Sequence, residues 1–179
     1  MSVKEQIYSV GDWVVHTAYG VGQIKKLEIK PIGGKKHLCY HVRTNDGVFW
    51  LPVEKAEGNE RVRPIAGPKR IQRAIETLRR APRKMAANFQ ARRKRIRNVA
   101  LDGDLSSDLK LLRDLNARQF KKGLNSTEQD AFNTITKRFV QEWSLSKGIE
   151  INEARQKLEH FLQESRQKGK AKQQESVAA

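Results

Sequence analysis

The stretch Val10–Leu27, VGDWVVHTAYGVGQIKKL, reads as a turn, a strand, a tight glycine-rich connection and a second strand. Gly11-Asp12 is turn chemistry, and Trp13, Val14, Val15 and His16 form a short β-prone run. Tyr19-Gly20-Val21-Gly22 sets two glycines two apart, where a strand must bend sharply or accept a close neighbour. From Val21 to Leu27 the chain resumes as a strand, with Val21 and Ile24 apolar and Lys25-Lys26 outward or at an edge. The spacing is that of a small β-barrel corner. It is not a nucleotide loop, because there is no third glycine and no following helix.

The residues that follow extend the β reading. Pro31-Ile32-Gly33-Gly34 is a hairpin turn flanked by lysines. His37 to Arg43 alternates Leu38, Tyr40 and Val42 against Cys39 and His41. Asn45-Asp46-Gly47 makes the next turn, Val48 to Val53 a fourth strand stopped by Pro52, and Arg61–Ile65 a short fifth. Five short strands in about 65 residues predict an SH3/Tudor-like barrel.

At Gly67-Pro68 the period changes. Ile71, Ala74, Ile75 and Leu78 predict an amphipathic helix from Pro68 to about Arg80, broken at Ala81-Pro82. A second helix is predicted from about Met85 to Leu101, with Phe89, Ile96, Val99 and Ala100 as a thin apolar stripe. After the turn Asp102-Gly103-Asp104, Leu105, Leu109, Leu112 and Leu115 predict a helix ending at Gly123. Ser126-x-x-Gln129 reads as a capping box opening a helix that buries Phe132, Ile135, Phe139, Val140 and Trp143. A last helix carries Ala154, Leu158, Phe161 and Leu162. From about Ser165 apolar periodicity is lost, which predicts a disordered tail over 166–179. The expected fold class is α+β: a barrel over residues 1–66, then an all-α bundle of about five helices over 67–165.

Charge narrows the function. The net charge is +16, and residues 67–101 alone contribute +11, from twelve basic residues and one acid. A charge kept for solubility would be interspersed; one concentrated block is the footprint of a polyanion, nucleic acid before membrane. Arg92, Arg93, Lys94, Arg95 and Arg97 fall within six residues of one predicted helix, and Arg83 and Lys84 extend the stripe. Lysines and arginines so placed contact phosphates, which set position rather than sequence. The single cysteine, Cys39, lies in an apolar strand and reads as a buried thiol in a reducing cytoplasm. No membrane span, signal peptide, catalytic constellation, cofactor motif or metal-ligand spacing is legible. His37 and His41 share a strand face without a Cys or carboxylate at metal spacing.

The opening stretch also resembles the CarD/CdnL family of bacterial transcription regulators, whose N-terminal module is shared with the transcription-repair coupling factor. Val10-Gly11-Asp12, Val14-Val15-His16, Tyr19-Gly20-Val21-Gly22 and Ile24 carry the resemblance. It continues in Trp50-Leu51-Pro52-Val53-Glu54 and, less specifically, to about Glu164. It implies a cytoplasmic, nucleoid-associated transcription initiation regulator that is not an enzyme and acts as a monomer. In such a regulator the barrel docks on the β subunit of RNA polymerase and the helical domain lies on promoter DNA at the upstream fork, stabilising the open complex. Lys30 matches one of the family's basic docking positions; the other is Trp50 here. Val48-Phe49-Trp50-Leu51, apolar on both faces, suits docking by strand addition. The family's wedge tryptophan falls at Phe89, which can stack on a base but lacks the indole N–H. The alternative is a nucleoid-associated or RNA-binding protein acting independently of polymerase.

Overall fold

The computed structural model describes residues 7–56, 58, 59 and 61–178. The chain divides into two units, Met1–Ile65 and Ala66–Ala179.

The first unit is an antiparallel sheet. β1 (Trp13–His16), β2 (Gly20–Ile32), β3 (Lys35–Thr44), β4 (Val48–Pro52) and β5 (Val62–Pro64) stand in the order β4-β3-β2-β1-β5. The two glycines of the opening stretch have different tasks. Gly20 has φ +77°, the conformation needed to reverse the chain between β1 and β2. A Cβ on Gly22 would meet Val42 Cγ1 at 2.7 Å, so β2 and β3 approach closely there. The next reversal is shorter than expected. Gly33 and Gly34 both have positive φ and form a two-residue turn, while Pro31 and Ile32 continue β2, opposite Lys36 and Lys35. Val14, Ile24, Tyr40, Val42, Phe49, Leu51 and Val62 make the core.

The second unit contains α1 (Pro68–Leu78), α2 (Phe89–Asp102), α3 (Leu105–Lys122), α4 (Ser126–Lys147) and α5 (Ile151–Ala178). Ile71, Leu78, Leu109, Leu112, Leu115, Phe139, Trp143, Leu158 and Leu162 lie in one apolar core. Three expectations are corrected. α2 begins at Phe89, not near Met85, because the Asn88 side chain accepts hydrogen bonds from the backbone N–H groups of Gln90 and Ala91. The capping box lies one residue earlier than Ser126-x-x-Gln129: Asn125 and Glu128 exchange side-chain and backbone hydrogen bonds at 3.0 and 3.2 Å. Residues 166–178, expected to be disordered, continue α5; Ala179 lies outside the described residues. Lys, Gln, Glu and Ala propagate a helix well without an apolar stripe, and Ser165 and Lys168 tie this one to the carbonyls of Arg80 and Arg79.

Candidate nucleic-acid interface and docking face

The basic block has two faces once folded. On α2, Arg92, Arg95, Ile96 and Val99 recur at helical spacing toward α3 and α4, and Arg93, Lys94 and Arg97 fall on the opposite side. The last three are exposed, and none forms an ion pair among the described residues. Arg83 and Lys84, in the connection before α2, are exposed too. Phe89 stands at the first turn with 41 % of its surface exposed, its ring 5.9 Å from the Arg92 guanidinium. It is not a core residue. Truncating it to alanine should therefore cost well under the 3–5 kcal/mol of a buried phenylalanine, which a thermal melt would read.

Arg92 is a correction. Expected on the open basic face, it is only 6 % exposed. Its Nε donates to Glu128 Oε1, and its Nη1 donates to Ala86 O at 3.0 Å and to Ala87 O. Glu128 Oε2 accepts from Arg118 Nε at 3.1 Å and from the Asn125 N–H at 3.2 Å. Burial opposes the charge on Glu128, but the hydrogen bonds from Arg92 and Arg118 prevail and hold its carboxyl below the usual range. One carboxylate thus ties α2, α3 and α4 together, and Arg92 holds the strap that leads into Phe89. Arg95 is half-withdrawn as well: its Nη2 donates to buried Asp114 Oδ2 at 2.6 Å. Asp114 Oδ1 also accepts from Arg113 Nε at 2.9 Å and from the Arg83 N–H at 2.8 Å. Sequence reading missed both acids. Asp114 stands among the leucines of α3 and Glu128 in the first turn of α4, and only their burial marks them as the counter-charges of the basic block.

On the sheet, the strand period separates the five docking candidates. Val48 and Trp50 point outward and are exposed, Trp50 by 43 %. Phe49 and Leu51, expected to dock as well, are buried opposite Val42 and Tyr40, so the second apolar face of β4 is the barrel's own core. Lys30 joins the outward pair, its Nζ 4.7 Å from the Trp50 ring centroid. Trp50 Nε1 donates to Glu28 Oε1 at 2.5 Å. That bond, then one from Lys26, pulls the Glu28 carboxyl down to about 2. β4 pairs with β3 alone among the described residues, so its other edge is an edge of the sheet.

Cys39 is buried, and burial raises its thiol pKa. The two histidines of β3 each lie beside one carboxylate: His37 Nδ1 is 2.7 Å from Glu54 and His41 Nδ1 3.3 Å from Glu28. Among the described residues no group of three or more metal-ligating side chains gathers. Among the same residues no helix is long and apolar enough to cross a membrane.

Two family models match this chain. The model of the CarD-like/TRCF RID domain matches residues 8–66, the whole sheet unit from Tyr8 onward. That of the CarD C-terminal domain matches residues 73–159, most of the helical unit. The chain belongs to the CarD family of transcription regulators, a non-enzymatic family whose RID module, a Tudor-like fold, interacts with RNA polymerase.

Proposed function

We propose that this protein stabilises the open promoter complex, holding the polymerase β subunit with its sheet unit and promoter DNA with its helical unit. The observation that carries the reading is the outer face of α2. Three cations with no ion pair among the described residues lie along it and a half-exposed aromatic ring stands at its start, the combination that clamps a phosphate backbone beside a distorted base step. Arg83 and Lys84 extend the clamp; Arg95 adds what its pairing with Asp114 leaves. Tethering to polymerase raises the local concentration of a weakly binding helical unit, so its affinity for free DNA can be low. Binding the open complex better than the closed one shifts a population and needs no cofactor and no chemistry. The protein acts as a monomer, on the nucleoid, where its partner is.

The docking face is Val48 and Trp50 on the edge strand β4 with Lys30 of β2 over the Trp50 ring, and a partner strand can add at the open edge of β4. Trp50→Ala is expected to weaken the complex with the isolated β lobe at least tenfold, since exposed tryptophans dominate such interfaces, without lowering the melting temperature. Equal affinity of wild type and variant, measured by titration calorimetry, would move the docking face elsewhere.

For Phe89, the expected result of Phe89→Ala is a shorter open-complex lifetime with polymerase binding intact; Phe89→Trp should lengthen it, because the larger ring covers more of an unstacked step. Identical lifetimes for all three proteins in a promoter-dissociation assay would remove Phe89 from the fork. If the protein binds nucleic acid but does not co-purify with polymerase at moderate salt, the nucleoid-type or RNA-binding alternative takes its place.

A further inference from the structure

The C-terminal part of α5 builds something that the basic face of α2 does not use. Ser165 Oγ donates to Arg80 O at 2.7 Å, and Lys168 Nζ donates to Arg79 O at 3.0 Å. Gly169 lies so near Pro82 that an added Cβ would meet the proline ring at 2.8 Å. The helix is thereby laid along the 79–87 connection, and a groove of about 510 Å³ opens between them and the last turns of α3. The α5 wall lies past residue 159, where the match to the family's C-terminal domain ends.

The lining has three kinds of surface. Met85, Ala87 and Ala117 give an apolar floor. Phe120 stands over it, 68 % exposed, with the Arg166 guanidinium 3.8 Å from its ring centroid. Arg166 is itself held by Asn116 Oδ1 at 3.0 Å. A ring backed on one side by an anchored cation and open elsewhere is a prepared stacking surface. Around it stand Lys121, Lys122 and Lys170, with Lys84 shared with the clamp of α2. Among the described residues that line the groove the acid is Asp114, and it is already taken up by Arg95, Arg113 and the Arg83 N–H. An apolar floor, an exposed aromatic ring and a rim of lysines suit a flat, partly apolar group carrying phosphates.

We propose that this groove takes one nucleotide unit, the base stacked on Phe120 and the adjoining phosphates on the rim lysines. Its source is the unpaired strand at a DNA fork, an inference that rests on the reading of the helical unit as a promoter-DNA binder. A free nucleotide offers the same chemistry, and the experiment separates the two.

Fluorescence anisotropy of the full chain would compare a forked duplex bearing an unpaired arm with a blunt duplex of the same paired sequence; calorimetry with ADP supplies the free-nucleotide arm. Base–aromatic stacking predicts that Phe120→Ala weakens fork binding by about 5- to 140-fold and leaves blunt-duplex binding unchanged. Phe120→Trp should restore fork binding, with its fluorescence quenched on addition of the strand. Because Phe120 is exposed, both variants should melt with the wild type. Phe120-dependent binding of ADP, with fork binding indifferent to Phe120, would support the groove with a free nucleotide as its occupant. Indifference to Phe120 in both arms overturns the groove while leaving the proposed function standing. A wild type that binds neither fork nor duplex overturns the DNA reading instead, and the ADP arm alone then decides the groove.

Discussion

Replacing Arg92 with alanine is expected to destabilise the helical unit by about 3–5 kcal/mol, the cost of leaving a buried charge without its partner. For a unit of this size the melting temperature should fall by roughly 10–20 °C. Arg92 is buried, its partner Glu128 is 1 % exposed, and its guanidinium also holds the carbonyls of Ala86 and Ala87. The loss is pH-dependent with a definite sign. The Glu128 carboxyl is held below its ordinary 4.5. Its ion pairs therefore stabilise the fold above that value, and the contribution is lost as pH falls through the lowered one. The gap between wild type and Arg92→Ala should thus be full at pH 7 and narrow below about pH 4. Thermal melts at both pH values test this. A stable Arg92→Ala protein with reduced DNA affinity would return Arg92 to the interface.

Neutralising Arg93, Lys94 and Arg97 together should have the opposite signature: an unchanged melting temperature and a large loss of DNA binding. Each phosphate neutralised contributes about −0.9 to the slope of log affinity against log salt on duplex DNA. Removing three should flatten that slope by about 2.7 and cost two to three decades of affinity near 0.1 M salt. Sequence preference should not change, since contacts of this kind carry no base information. The measurement is a salt titration of binding for wild type and the triple glutamine variant. Equal slopes would place the phosphates on another surface.

These two predictions share one helix, and in the bare sequence their residues are indistinguishable. Arg92, Arg93, Lys94, Arg95 and Arg97 are five cations in a row of six. A helix turns 100° per residue, so neighbours in such a row must face different ways. Which of them face inward depends on where α3 and α4 place acids. Glu128 and Asp114 are 36 and 19 residues away from the arginines they hold. No local pattern specifies such a pairing.

What the sequence determined by itself was the part governed by local chemistry. The glycine turns, the Asp-Gly turn and the period-2 strands of residues 10–65 defined the sheet, and the change to a 3.6-residue period after Gly67-Pro68 marked the start of the helices. The family, too, was legible in Val10–Leu27. Only tertiary structure decided which apolar face of β4 was already satisfied, because Phe49 and Leu51 find Val42 and Tyr40 across the sheet while Trp50 finds Lys30 and Glu28. Tertiary structure also turned the polar end of the chain into a helix, since carbonyls of the 79–80 segment, some 85 residues away, supply the partners that anchor it. The physical reason is the same in both cases. Backbone dihedral preference and apolar period are local properties, whereas the burial and pairing of a charged or polar side chain depend on groups that folding alone brings near.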